Sequence, residues 1–228
     1  MAIKNKYIYR SRISEPKFRE IIRLFAMDIE ATKIAALSGV SRNSINKILL
    51  ATRKRLSTFC ESESPFDGEI EIDESYFGGK RIKGLRGRGA YKKVPVIGLR
   101  KRGGKVFTEI IPDCSRASLQ AVIKGRIEPE SIVHTDGWRG YHGLIDLGFK
   151  KHYRVDHGNN EFAAGKRHIN GIESFWSYAK MRMVKFRGFN RDHFYLHLKE
   201  TEFRFNYRNE NLYQLILKII RKQPLKLS

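Results

Sequence analysis

Cysteine is scarce: Cys60 and Cys114 are the two in 228 residues. A pair so far apart in the chain builds neither a disulfide framework nor a four-cysteine zinc site, and it fits a reducing compartment. Long apolar runs are missing as well. No stretch approaches the roughly 18 apolar residues of a spanning helix. The opening M-A-I-K-N-K-Y-I-Y-R lacks the apolar segment of a secretory signal. These absences predict a soluble protein with no membrane partner. Nor is there a G-x-x-x-x-G-K-[ST] to cradle nucleotide phosphates, an internal repeat or a low-complexity block, and nothing marks a small-molecule substrate.

Acid is the other shortage. Lys and Arg number 45 against 24 Asp and Glu, a formal charge of +21. A balance that basic points to a polyanionic partner, nucleic acid before membrane surface. The surplus sits at the ends, +9 in residues 1–60 and +9 in 165–228, with +3 between. The middle therefore keeps most of the carboxylates. Within it, Lys80–Lys105 carries 11 cations and no acid.

The N-terminal third reads as helices. P-K-F-R-E-I-I-R-L-F-A-M-D is amphipathic, with Pro16 in its first turn. In A-T-K-I-A-A-L-S-G-V-S-R-N-S-I-N-K-I-L-L, Ala35 permits close packing and Gly39 suits a left-handed turn residue. Ser41 is a candidate N-cap, and Val40, Ile45 and Ile48 are apolar anchors. That spacing is similar to a helix-turn-helix and would expose Arg42, Asn43, Ser44, Asn46 and Lys47 on a recognition helix. Arg53, Lys54 and Arg55 extend the basic face towards a phosphate backbone. A plain helical hairpin is the competing reading. Residues 1–60 are thus expected to be a DNA-binding domain, and 61–68, E-S-E-S-P-F-D-G, a linker.

Beyond the linker the periodicity changes from helical to period two. E-I-E-I-D-E-S-Y-F, V-P-V-I-G-L-R and K-V-F-T-E-I-I-P read as strands, with Gly103-Gly104 as a hairpin turn. A helix over 115–126, the strand S-I-V-H-T-D, a short helix and the strand K-K-H-Y-R-V follow. Helices are then expected from about 168, over 191–207 and over 211–222. This order predicts an α/β, ribonuclease-H-like mixed sheet with helices on both faces. It would span 69–210, with 211–228 a C-terminal helical tail.

Three carboxylates stand out. Asp73 and Asp136 lie on predicted strands, and Glu173 lies on the helix H-I-N-G-I-E-S-F-W-S-Y-A-K. On that helix Asn170, Glu173, Ser177 and Lys180 share one stripe, while Ile172, Phe175, Trp176, Ala179 and Met183 form a core-facing one. Carboxylates from distant parts of a chain suit a site for Mg²⁺ or Mn²⁺, hard cations that prefer oxygen ligands. Two such ions serve in-line phosphoryl transfer.

I-D-E-S-Y-F-G-G, H-T-D-G-W-R-G-Y and H-I-N-G-I-E-S-F-W-S-Y-A-K resemble the motif blocks of insertion-sequence DDE transposases, in the group related to Merlin transposons with an ISXO-like catalytic domain. K-E-T-E-F-R-F-N resembles that group's C-terminal signature. The resemblance covers about 65–210. It implies that Asp73, Asp136 and Glu173 hold the metal and that Lys180 meets DNA near the scissile phosphate. Some members of the wider group place Asn or His where this chain has Asn170; an amide is the poorer Mg²⁺ ligand, so Asn170 is expected beside the metal or the substrate. Many members also carry an N-terminal zinc ribbon, for which this chain lacks cysteines.

The resemblance further implies double-stranded DNA as partner, both element ends and target, with at least a dimer on paired ends. It implies a cytoplasmic location in a bacterium or a nuclear one in a eukaryote. A transposase-derived DNA-binding regulator and a ribonuclease-H-like nuclease are the alternatives. Lys80, Arg81, Lys83, Arg86 and Arg88 follow the Asp73 strand and are expected to grip backbone phosphates. Glu74, on the other face of its strand, is expected to be structural, as are Asp113, Asp156, His134 and His168. Trp138, Tyr141 and Trp176 are expected in the core or stacked on bases.

Overall fold

Ser14 opens the first helix, α1 (Glu15–Ala26). Its Oγ accepts the Lys17 N–H, and Pro16 occupies the first turn, where a missing N–H costs nothing. The structure, a computed structural model, describes residues 5–63, 66–78, 93–136, 138–145, 148–155, 169–186 and 193–227. These fall into two units: Met1–Glu63 with Asn190–Ser228, and Ser64–Phe189.

The first unit is helical. α2 (Ala31–Ser38) ends at Gly39, whose φ of 67° is left-handed and takes up the turn. The Ser41 Oγ accepts the Ser44 N–H to start α3 (Arg42–Glu61). α6 (Phe194–Asn206) and α7 (Leu212–Lys222) complete the unit. Its core joins Phe18, Ile21 and Phe25 of α1 to Ile45, Ile48 and Leu56 of α3, Phe203 of α6 and Ile216 and Ile220 of α7. The boundary expected at 210 therefore moves: α6 packs on α3 and belongs to the same unit as the N-terminal helices.

Charge is buried at the join of α3 and α6. Lys199 is wholly buried, and its Nζ lies 3.0 Å from Glu202 and 3.1 Å from Glu61. Glu200 takes Arg53 at 2.7 Å and Arg204 at 2.8 Å. Arg204 also donates to the Phe25 and Ala26 carbonyls at the end of α1. Arg53, expected on the DNA-facing side, is thus turned inward.

The second unit is a five-stranded sheet in the order β3-β2-β1-β4-β5. β1 (Glu69–Phe77), β2 (Val94–Lys101) and β3 (Val106–Ile110) run antiparallel. β4 (Ile132–Asp136) and β5 (Lys151–Val155) run parallel to β1. This is the expected ribonuclease-H-like sheet. Alternation along β1 puts Ile70 and Ile72 on one face, in a core with Ile97, Leu99 and the α4 (Arg116–Arg126) residues Leu119 and Ile123. Glu71 and Asp73 take the other face, where α5 (Asn170–Met183) docks.

Glu200→Ala would leave Arg53 and Arg204 with their main charge partner gone. Urea unfolding should show a loss of about 3–5 kcal/mol. Lys33→Ala, which breaks the exposed pair with Glu30, should cost no more than about 1 kcal/mol.

Candidate active site

The β1–β4 register sets up the acidic pair. Glu69 lies opposite Ile132, Ile70 opposite Val133 and Glu71 opposite His134. The same offset continued two residues brings Asp73 level with Asp136, the last residue of β4. The Asp136 Oδ1 accepts the Trp138 N–H at 3.0 Å, which turns the chain away just past the strand. Both carboxylates are only partly exposed. The Asp73 carboxyl is pushed up from 3.8 to about 7, first by burial, then by the negative charges of Glu74, Asp136 and, more weakly, Glu173.

Glu74 belongs to this cluster. Oxygens of Asp73, Glu74 and Asp136 all lie within 4.8 Å of one another. Alternation sends Glu74 to the opposite face from Asp73, where the buried Tyr141 hydroxyl donates to its Oε2 at 2.7 Å. Its longer side chain nonetheless brings a carboxylate oxygen beside the two aspartates. Glu173 is not in that three-residue group; it is exposed on the first turn of α5, and its charge reaches Asp73. The donor set suits a hard divalent cation: crowded carboxylate oxygens, with Asp73 made reluctant to ionise by burial and by its neighbours, are relieved by a bound positive charge.

What sets α5 over this face is a buried carboxylate. The wholly buried Glu71 accepts the Ile172 backbone N–H at 2.8 Å, satisfying one of the orphan donors at the start of the helix. Arg100 at 3.4 Å and Arg102 at 3.3 Å neutralise it. Gly171 makes room: a Cβ there would sit 2.6 Å from Glu71 Oε2 and 1.7 Å from Arg100. One turn on, Ile172 and Trp176 press on Gly98, the β2 partner of Asp73; a Cβ at Gly98 would meet Trp176 at 2.5 Å and Ile172 at 2.8 Å. The helix thus lies directly on the strand beside Asp73.

The expected core stripe of α5 is buried in full, from Ile172 to Met183, while Asn170, Glu173, Ser177 and Lys180 are exposed. In the helical unit, Arg42, Asn43, Asn46 and Lys47 are exposed on α3. Ser44 is half-buried, and its hydroxyl is engaged with Ser41 at the cap. Lys80, Arg81, Lys83, Arg86 and Arg88 lie outside the described residues, as do Asp156 and His168. Asp113 caps α4 through Ser115 and Ser118. His134 meets Glu69 at 3.2 Å. Trp138 packs against the core beneath the sheet, and Tyr141 is buried within it. Sequence reasoning missed Glu71, Gly98, Gly171 and the nearness of Glu74. Glu71 gave no signal of its own, since in E-I-E-I-D-E it falls with Glu69 and Asp73 on the polar face of an alternating strand.

The ISXO2-like transposase domain matches residues 65–206. The chain belongs to that family. The match runs past the sheet unit into α6 of the helical one. An "uncharacterized transposase-like protein" of Haemophilus influenzae is 41% identical over 102 residues, which are 45% of this chain and 81% of that one. A protein of Halobacterium salinarum, "in transposable element ISH50", is 31% identical over 154 residues; those span 60% of this chain and 52% of the relative. A Mos1 strand transfer complex aligns over 94% of this chain and 77% of its own at 13% identity, with a TM-score of 0.35, too low to carry an argument.

Two outcomes test this geometry. Gly98→Ala should cost about 1–3 kcal/mol by over-packing against Trp176, seen as a lower urea midpoint. Asp73 binds its proton more tightly folded than unfolded, so its contribution disfavours folding as pH rises from about 4 to 7. Asp73→Asn should therefore unfold at higher urea than the native chain at pH 8 without divalent ions. That gain should vanish below pH 4.

Proposed function

We propose that this transposase-family chain binds the terminal inverted repeats of an insertion sequence and catalyses divalent-metal-dependent DNA strand cleavage and strand transfer. One observation carries the reading: two aspartates from neighbouring strands bring their oxygens within 4.8 Å of one another, beside a helix bearing Glu173 and Lys180. Asp73, Asp136 and Glu173 would hold the metal, Mg²⁺ or Mn²⁺, as two ions. Bound there, the ions would supply Lewis acidity to the attacking and leaving oxygens.

The chain's own residues supply position and charge. The Asp73–Asp136 pair presents oxygens from a rigid sheet, so the ligand geometry costs little to organise when substrate arrives. Lys180, two turns after Glu173 on the same exposed stripe, would hold a phosphate next to the scissile one. Asn170, one turn before Glu173, would contact substrate or orient a ligand. Arg42, Asn43, Ser44, Asn46 and Lys47 of α3 would read the element end as a recognition helix. The basic segment with Lys80, Arg81, Lys83, Arg86 and Arg88 would grip backbone phosphates. Paired ends call for at least a dimer on DNA. The protein would work in the cytoplasm of a bacterium, on the nucleoid, or in a eukaryotic nucleus.

A second assignment of the third ligand is favoured by the closeness of Glu74 to both aspartates. Full-length protein, duplex carrying the element end and Mg²⁺ or Mn²⁺ separate the two. Asp73→Ala and Asp136→Ala should abolish cleavage; retained cleavage overturns the mechanism. Glu173→Gln should fall by at least about a hundredfold, while Glu74→Gln stays within about tenfold. The reverse order would make Glu74 the ligand. Cleaved ends that never join target DNA would indicate a nuclease, not a transposase.

A further inference from the structure

We propose that the groove between α3 and the C-terminal segment after α7 seats a DNA phosphodiester backbone, with Lys54, Arg55 and Lys226 as its phosphate contacts. The inference rests on the reading of the chain as a DNA-acting transposase and extends its DNA surface to a segment with no role so far.

The groove has a volume of about 340 Å³ and lies within the helical unit. One wall is a single face of α3, running through Lys47, Leu50, Lys54 and Thr58; the other is Pro224 to Lys226. That second wall is held in place. Leu225 is buried, its N–H donates to the Tyr7 carbonyl at 2.8 Å, and its carbonyl accepts the Tyr9 N–H at 2.9 Å. Gln223 accepts from the Arg55 guanidinium across the groove. Lys226 therefore projects from an anchored strand-like segment, and a cation held in place loses less freedom on binding than one on a loose tail.

Charge makes the groove specific for an anion. Lys47, Lys54, Arg55 and Lys226 line it and no acid does. Among the described residues none of these four pairs with a carboxylate, whereas Arg53, one residue from Lys54, is turned away to Glu200. The Arg55 Nε is buried without a hydrogen-bond partner, a donor whose desolvation an anion would offset. Four cations at close quarters repel one another unless a negative ligand joins them.

Position makes that anion a DNA backbone. Asn43, Asn46 and Lys47 are exposed at the N-terminal end of the same helix. Lys54 lies seven residues beyond Lys47, about 10 Å along the axis at 1.5 Å per residue. A major groove is about 12 Å wide. With the first turns of α3 among base edges, the helix crosses the flanking phosphates where Lys54, Arg55 and Lys226 converge.

The test uses the full-length protein and two duplexes of equal length, one with the element's inverted repeat and one scrambled. Binding is followed by fluorescence anisotropy across a salt series. Lys54→Gln and Lys226→Gln should each reduce the slope of log K against log salt by about 0.9. Each should weaken both duplexes by the same factor, and Lys218→Gln on α7, outside the groove, should leave the slope unchanged. Asn46→Ala should weaken the inverted-repeat duplex alone. An unchanged slope in both lysine variants overturns the proposal, and so does a loss confined to the inverted repeat, while end-specific binding that persists leaves the transposase reading standing. If the native chain binds neither duplex, the DNA reading and the groove fall together. Circular dichroism melts check that the exposed Gln variants fold.

Discussion

A buried carboxylate at the start of a helix is the constraint on which the sheet unit depends. Glu71 sits in the middle of β1 with no exposure, which would be prohibitive for an unpaired charge. It is tolerated because Arg100 and Arg102 flank it and the Ile172 N–H closes on it. The arrangement works in both directions. The helix end supplies a positive partial charge to the carboxylate, and the carboxylate fixes where α5 begins. Since Gly171 lets Arg100 lie against the helix, no other residue type fits at that turn without moving the guanidinium. Once α5 is pinned at its first turn and pressed on Gly98, the direction of its exposed stripe is set, and Glu173 and Lys180 with it.

Much of this was legible in the residues. The strands expected at 69–77, 94–100 and 105–112 became β1 to β3, and Asp73 and Asp136 emerged side by side because β1 and β4 pair in parallel. The apolar stripe of α5 was readable because a helix packed on one side shows its period plainly. The rest was not legible, for a physical reason. Alternation assigns Glu74 to the wrong face for a shared site, yet a glutamate has reach enough to bring its oxygen around at the end of a strand pair. Gly98 and Gly171 looked like ordinary glycines, since close approach is a property of what arrives from elsewhere in the chain.

The helical unit shows the same limit from another side. Arg53, Lys54 and Arg55 read as one basic run, but consecutive helix positions are about 100° apart and the run fans around the helix. Arg53 goes inward to Glu200 and stacks over Phe25, while Lys54 and Arg55 remain at the groove. The string K-E-T-E-F-R-F-N is half charged, yet in the folded chain Lys199, Glu200, Glu202 and Arg204 are all buried. Each is paired with a residue of opposite sign. Such a set adds little net stability over an apolar join, but it penalises any other alignment of α3 and α6, because a shift by one turn would strand several charges at once.

That penalty bears on chain order. The unit that carries α3 is assembled from Met1–Glu63 and Asn190–Ser228, so the sheet unit is an insertion within it. The N-terminal segment alone would expose Arg53, Glu61 and the apolar residues that meet Phe203 and Ile216. It would then hold neither the buried ion pairs nor the part of its core that α6 and α7 supply. A unit built in this way is complete only after α7 has been made. The segment that carries Asp73 and Asp136 is therefore synthesised before α6 and α7, the helices that finish the helical unit.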